Sequence, residues 1–311
     1  MIAEQLHVVA ARTNPLRWKT PDLIYKEWAG HMLDSGVKLT VVECQYGERD
    51  FTADLPHVNH IGVRANSWCW SKENLLNIGI GRLPDAKYIC WSDTDVFHRS
   101  CDWAVETLHA LQNYHIVQPW GDAYDLGPAN EIMQPHQSFC KIFHQGGPLV
   151  PMSEKFWKYD GGPYQYPHSG YVWAATRQAL DGVGGLLEIG GMGSGDHHMA
   201  LGLAGYAERS MPANTMENYR RHVMRWQVRA LAHVNGNIGY VPASIEHRFH
   251  GRKADRGYVS RWDMFVEHQF DPDEDLKKNA HGVIEWAGNK PELRRQFDLY
   301  LRSRNEDANS L

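Results

Sequence analysis

The sequence predicts a mixed, mainly parallel α/β sheet flanked by helices, and three observations lead there. Over the first ~120 residues, short apolar runs alternate with helical stretches, the pattern of a parallel sheet with crossover helices. One of those runs, Lys87–Trp91, ends in paired aspartates, which is where open α/β sheets carry their ligands. The chain has 311 residues, 42% hydrophobic and 22% charged, with no low-complexity tract, enough for one large domain or two modest ones.

The elements run in order along the chain. Leu6–Arg12 reads as a strand, a helix opens at Pro21-Asp22 and runs to about Ser35-Gly36, and Lys38–Gln45 is the next strand. His60–Val63 is a short third strand. A helix then reaches Gly81, with Ser71 placed as its N-cap because a Ser oxygen there can accept from the free N–H groups of the first turn. Lys87–Trp91 is the strand that bears the aspartates; helix Asp102–Asn113 and strand His115–Gln118 complete this half. Residues 121–168, rich in Gly, Pro, Tyr and His, read as a long irregular insertion or lid, ordered by Trp157, Tyr159, Tyr164 and Tyr166. Beyond it, Gly170–Ala175 is a strand, Thr176–Leu180 opens a helix, and a glycine cluster over 182–195 leads into a helix starting at or near Asp196. Met216–His233 is helical, Ile238–Val241 and Ile245–Phe249 are short strands, and the last ~50 residues form a polar, helix-like tail. The organisation is a 1–120 half, a 121–270 half of the same domain, and a 271–311 tail.

Composition narrows the class. A formal net charge of −5 argues against coating nucleic acid through overall charge. Five cysteines with no CxxC pairing argue against a disulfide framework or a structural zinc site. No apolar run approaches the ~20 residues of a membrane span, and no basic-then-apolar leader opens the chain, so the expectation is a soluble, cytoplasmic protein without membrane contact.

Three segments carry chemistry. In Asp93-Thr94-Asp95, strand alternation would aim both carboxylates to one side if the strand persisted through them. Hard oxygen ligands of that kind suit Mg²⁺ or Mn²⁺; a solvated turn is the plainer reading, since Asp favours turns. Gly190–His198 is a flexible glycine loop that delivers Asp196 to a helix N-terminus, where backbone N–H groups favour an ionised carboxylate. An ordinary N-cap explains the same residue. Ile245–Arg261 holds His247 and His250 before a Gly turn, then Arg252, Lys253, Arg256 and Arg261. A neutral imidazole can complete a carboxylate metal site, and Arg and Lys clamp phosphate oxygens. A solvated basic loop is the alternative.

Taken together, these segments resemble the GT-A fold of nucleotide-sugar glycosyltransferases. The carboxyl half is more narrowly similar to β-1,4-galactosyltransferase-like enzymes. Ser169–Leu180 resembles that family's glycine strand and following helix, Gly191–His198 its acceptor loop, and His250–Tyr258 its metal-binding histidine with a basic segment. The resemblance spans about residues 5 to 261. It implies a metal-dependent transfer of a sugar from a nucleoside-diphosphate sugar to a hydroxyl. Asp95 would bind Mn²⁺ or Mg²⁺, with Asp93 on the metal or the ribose, and His250 would be the third ligand with His247 as its competitor. Asp196 would be the general base of an inverting reaction. Arg12, Arg252, Lys253, Arg256 and Tyr258 would face the nucleotide, and Gly195, His197, Trp173 and Arg225 the acceptor. Gly195 stands where the family has an acid before the base, and His197 where it has the following acid, which leaves the acceptor preference open.

Between Arg220 and Arg261 there are nine Lys or Arg against two acids, Glu246 and Asp255. Arg220, Arg221, Arg225 and Arg229 share a helix with Trp226, a pattern suited to a polyanion such as DNA. The basic element also resembles bacteriophage glycosyltransferases, some of which decorate hydroxymethylated pyrimidines in DNA. That acceptor stands beside a glycan or a small molecule. Nucleotidyl transfer is disfavoured because Ala10–Arg17 supplies Arg12 and Arg17 but no glycine, and a non-catalytic carbohydrate- or DNA-binding module has no need of three separated polar elements. A metal-free hydrolase using His197 and His198 is disfavoured too, since neighbouring helical residues face different directions.

Overall fold

The computed structural model describes residues 2–150 and 167–308. Trp157, Tyr159, Tyr164 and Tyr166 lie outside the described residues. The elements in order are β1 (Leu6–Thr13), α1 (Lys19–Asp34), β2 (Lys38–Tyr46), β3 (Asn59–Ala65), α2 (Lys72–Gly81), β4 (Tyr88–Ser92), β5 (Val96–His98), α3 (Trp103–Ala110) and β6 (Ile116–Gln118). Then come β7 (Asp122–Leu126), β8 (Ile132–Gln137), α4 (Phe139–His144), β9 (Val172–Thr176), α5 (Arg177–Val183), α6 (Gly195–Leu203) and α7 (Glu217–His233). The chain continues through β10 (Ile238–Tyr240), β11 (Ser244–His247), α8 (Arg261–Glu267), α9 (Pro272–Asp275), β12 (Leu276–Lys278), β13 (Ile284–Trp286) and α10 (Pro291–Ser303).

The main sheet has seven strands in the order β10-β6-β9-β4-β1-β2-β3. All its pairings are parallel except those of β9, which runs antiparallel between β4 and β6. Alternation along the strands feeds two cores. Val9, Ile89, Trp91, Trp173 and Ala175 face one layer with α2, α5, α6 and α7. Val8, Ala10, Cys90, Val172 and Ala174 face the other, against Trp28 of α1 and Trp103 of α3. Both of those tryptophans are fully buried, and removing a large apolar side chain from water contributes about 1.5–3 kcal/mol. Among the described residues, no helix is long and apolar enough to cross a membrane.

Several expectations are corrected. Residues 121–168 are not one irregular insertion: β7 and β8 pair antiparallel there and α4 comes next. Ser71 sits at the N-cap of α2 but its side chain accepts no capping bond; Thr176 does cap α5, accepting from Ala179 N at 3.2 Å. Asp196 is not an N-cap either, because α6 begins one residue before it and Ser194 holds the cap position. The tail is not purely helical, since β12 and β13 form an antiparallel hairpin.

A second sheet, β5-β11-β7-β8, stands at the carboxyl end of β4. Its register builds the site: His247 at the end of β11 lies opposite Val96 on one side and Asp125 on the other. Antiparallel β9 matters as well, because it brings Tyr171 to that same end, where Asp93 N donates to Tyr171 O at 2.9 Å.

Candidate functional site

The strand carrying the aspartates stops at Ser92, and the chain turns through Thr94 and Asp95 before β5. Alternation therefore does not govern the pair, and the two carboxylates part. Asp93 forms an ion pair with Lys72 at the start of α2. Asp95 turns towards β11, where its backbone oxygen accepts from Arg248 N at 2.9 Å and its side chain meets two histidines.

His250 Nε2 lies 2.8 Å from Asp95 Oδ2, and His247 Nε2 lies 3.7 Å from the same oxygen. Asp95, His247 and His250 each offer a ligand atom, all within 4.8 Å of one another. Asp95 Oδ1 is buried with no hydrogen-bond partner. Burial opposes ionisation of Asp95, but His247 and His250 outweigh it and hold the carboxyl well below its usual range. An unsatisfied buried carboxylate oxygen beside two imidazoles fits a divalent cation bound by mixed O and N ligands.

Behind these groups stands a second layer. His247 Nδ1 lies 2.9 Å from Asp125 Oδ1, which leaves Nε2 on the Asp95 side. Burial pulls the His247 imidazole down, but Asp95 and Asp125 push it up to about 9. Asp125 also accepts from Tyr171 Oη at 2.7 Å and pairs with His136 and Lys253. Burial opposes its ionisation, but His136, His247 and Lys253 outweigh it and hold the Asp125 carboxyl far below the usual range. Arg256 Nη2 sits 3.0 Å from His250 Nε2, and Glu306 Oε2 sits 3.5 Å from His250 Nδ1. Burial opposes ionisation of Glu306, yet Arg304 and His250 bring it down to about 2.

Near Asp93, a small cleft is lined by Lys72, Glu73, Trp91, Tyr171, Trp173 and Asp196, among others. Asp196, in the first turn of α6, shares Lys72 with Asp93 and Glu73. Glu73 reaches this place because residue 195 is glycine: a Cβ there would lie 2.7 Å from the Glu73 carboxyl. Burial, opposed by Lys72 but helped by Asp196, pushes Glu73 up to about 7. The glycine loop itself is tied by Arg261 Nη2, which donates to Ser194 Oγ at 2.8 Å.

Other residues singled out in the sequence are placed around these two groups. Arg12 is buried; its guanidinium pairs with Asp22 and stacks 4.4 Å over Tyr25, so the structure engages it at the start of α1. Arg252 pairs with Asp255 at 3.0 Å, and Tyr258 is half-exposed beside Arg256 and under Arg261. Trp173 is buried, with its Nε1 donating to Ser169 O at 2.7 Å. His197 comes directly after Asp196, donating its N–H to Asp196 Oδ1 at 2.8 Å. Arg225 is exposed on α7, away from the residues that line the cleft. Trp226, which shares the helix with the four arginines, is 3% exposed, and its indole N–H donates to Gly185 O. Sequence reasoning missed Lys72, Glu73, Asp125 and Glu306. Lys72-Glu73 directly after Ser71 was the available signal, because a helix start preceded by three aromatic or thiol residues has a buried neighbourhood.

No protein-family model matches the sequence, and neither does any curated protein. Among solved structures, the chain is similar to the mannosyltransferase PcManGT from Pyrobaculum calidifontis in complex with GDP-Man and Mn²⁺. That match has 14% identity and a TM-score of 0.45, covering 96% of this chain and 70% of that one. It is also similar to the catalytic domain of Drosophila β1,4-galactosyltransferase 7 in complex with xylobiose, at 11% identity and a TM-score of 0.40, covering 93% and 96%. A nucleotide-diphospho-sugar transferase from Desulfovibrio desulfuricans matches at 10% identity and a TM-score of 0.32, covering 96% of each chain. Likeness this loose assigns no chemistry. The functional reading rests on the site's own residues.

Proposed function

We propose that this chain is a metal-dependent glycosyltransferase that moves a sugar from a nucleoside-diphosphate sugar to a hydroxyl acceptor. The observation that carries the reading is Asp95, with one orphaned oxygen, converging with His247 and His250 beside a cleft that carries a second carboxylate, Asp196. Asp95, His250 and His247 would hold Mn²⁺ or Mg²⁺. When bound, such an ion offsets the charge that gathers on a departing diphosphate.

The remaining steps belong to the chain's own residues. Asp196 takes the proton from the acceptor hydroxyl as it attacks the anomeric carbon on the side opposite the diphosphate, which gives inversion. Lys72 pairs with Asp93 and places its ammonium within reach of Asp196, so one cation serves both carboxylates. The basic segment Arg252, Lys253, Arg256 and Tyr258 flanks the diphosphate, and Trp173 and His197 border the acceptor. The sugar-accepting hydroxyl enters the cleft between Trp91, Trp173 and Asp196; hydroxymethylated DNA is retained only as an arm of the assay. Residues 1–120 and 121–270 act as donor and acceptor halves of one domain.

The test is release of nucleoside diphosphate from a panel of nucleotide sugars with and without Mn²⁺, using saccharide, small-molecule and hydroxymethylated-DNA acceptors. Mn²⁺-dependent release with one donor is expected. Neither release nor Mn²⁺-dependent donor binding across the panel would remove the proposal.

A further inference from the structure

The carboxyl-terminal residues reach the cation site from the far end of the chain. After α10, residues 304–306 pack on the turn that comes after His250. A Cβ at Gly251 would lie 2.8 Å from Asn305 O and 3.1 Å from Glu306 Cα, and its φ of +84° is one that side chains rarely adopt. Glycine there lets the two segments touch. Asp307 then latches the segment to α1: its Oδ1 accepts from Thr20 N at 2.8 Å and its Oδ2 from Lys19 N at 3.1 Å. Trp18, at the N-cap of α1, provides no side-chain cap, so Asp307 satisfies those two N–H groups from 287 and 288 residues away.

Between these two anchors stands Glu306. Its Oε1 accepts from Arg304 Nε at 2.7 Å, which leaves Oε2 facing His250 Nδ1 at 3.5 Å. The other ring nitrogen is contested. Asp95 Oδ2, 2.8 Å from Nε2, calls for a proton there, while Arg256 Nη2, 3.0 Å away, calls for a lone pair. One nitrogen cannot satisfy both. A cation beside Asp95 would take the one Nε2 lone pair in place of both contacts, and the ring proton would then belong on Nδ1, the nitrogen that Glu306 faces.

We propose that the carboxyl-terminal segment is part of the cation centre, with Glu306 as a positioning residue that holds His250 in the tautomer presenting Nε2. This rests on the reading that Asp95, His247 and His250 bind a divalent cation. A carboxylate behind a ligating histidine orients the ring and raises its basicity, and losing it lowers metal affinity by about 10–100-fold.

The experiment is Mn²⁺ titration by electron paramagnetic resonance on wild type, Glu306→Gln, Glu306→Asp and Asp95→Asn, with ¹⁵N-histidine spectra in Mg²⁺. Glu306→Gln is expected to weaken Mn²⁺ by about 10–100-fold, with Glu306→Asp recovering part of the loss. Wild-type His250 is expected to carry its proton on Nδ1, and Glu306→Gln to show mixed tautomers, a change that lost packing alone does not produce. Wild-type affinity and an unchanged His250 tautomer in Glu306→Gln overturn this proposal alone. Should wild type and Asp95→Asn bind Mn²⁺ equally, the cation reading falls with it. If Glu306→Gln does not fold, Glu306→Asp and the wild-type tautomer decide.

Discussion

Two charge clusters meet at the carboxyl end of β4, and they are built in opposite ways. Around Asp95, two imidazoles face one carboxylate, and each imidazole has another carboxylate behind it, Asp125 or Glu306. Around Asp196, a single ammonium, Lys72, serves Asp93, Asp196 and Glu73 together. The first arrangement holds the Asp95 carboxyl below its usual range and gathers three potential ligand atoms within 4.8 Å of one another, as a cation requires. The second gathers three carboxylates around one ammonium; burial pushes Glu73 up to about 7 and raises Asp93 as well, with Lys72 opposing both. Asp93 and Asp95 belong to different clusters because the chain turns between them. Two residues of separation on a strand would have put both in one.

The comparison breaks most sharply at Asp95. Asp95→Asn should weaken Mn²⁺ binding by at least about 100-fold, since loss of outer partners alone reaches 10–100-fold. Isothermal titration reads the effect, and an unchanged affinity would move the cation elsewhere. Asp196→Asn should behave differently: kcat falls by about 10²–10⁴-fold while Mn²⁺ affinity holds, because a general base acts only as the proton moves. If Mn²⁺ affinity fell with kcat, the two clusters would be one site.

Glu73 sharpens the contrast through pH. Its folded-state value of about 7 lies above the unfolded 4.5, so the fold prefers the protonated form. The stability this contributes is complete below about pH 4.5 and is lost as pH rises through 7. Glu73 is 4% exposed, so solvent screens little of the effect. At about 1.4 kcal/mol for each pH unit, the whole range is worth about 3 kcal/mol. Glu73→Gln should therefore gain on wild type from pH 5 to pH 8 in denaturant melts. Parallel profiles for the two proteins would show that Glu73 ionises in the fold as freely as in solution.

Most of the main sheet was legible because its strands are short apolar runs with both faces covered, as β1, β2 and β4 show. Much of the second sheet was hidden for the opposite reason. The strand of His247 reads as one from Ile245, but β7 and β8 carry the polar Asp125 and His136, and β8 contains Pro135, so those two read as loop. Asp95 and His250 stood out as residue types that suit a cation. The direction of Asp93 did not, since it depended on where β4 stopped. Lys72 and Glu73 are announced only by the apolar Trp68-Cys69-Trp70 before the helix start, and Glu306 sits in a polar tail whose return to His250 no local pattern announces.

The smallest effect is expected on α7, the helix whose arginines suggested a polyanion. Arg220 pairs with Glu208, Arg221 with Asp273 at 3.3 Å, and Arg229 Nε donates to Val183 O at 2.6 Å. Trp226 faces the core, so no aromatic platform accompanies them. A cation already matched by an acid releases few counterions on meeting a phosphate. Each genuine phosphate contact adds about 0.9 to the slope of log affinity against log salt. For duplex-DNA retention, Arg220→Ala/Arg221→Ala should leave that slope unchanged, whereas a polyanion face would lose about 2. A fall of that size would return the acceptor question to α7, and an unchanged slope leaves it to the cleft at Asp196.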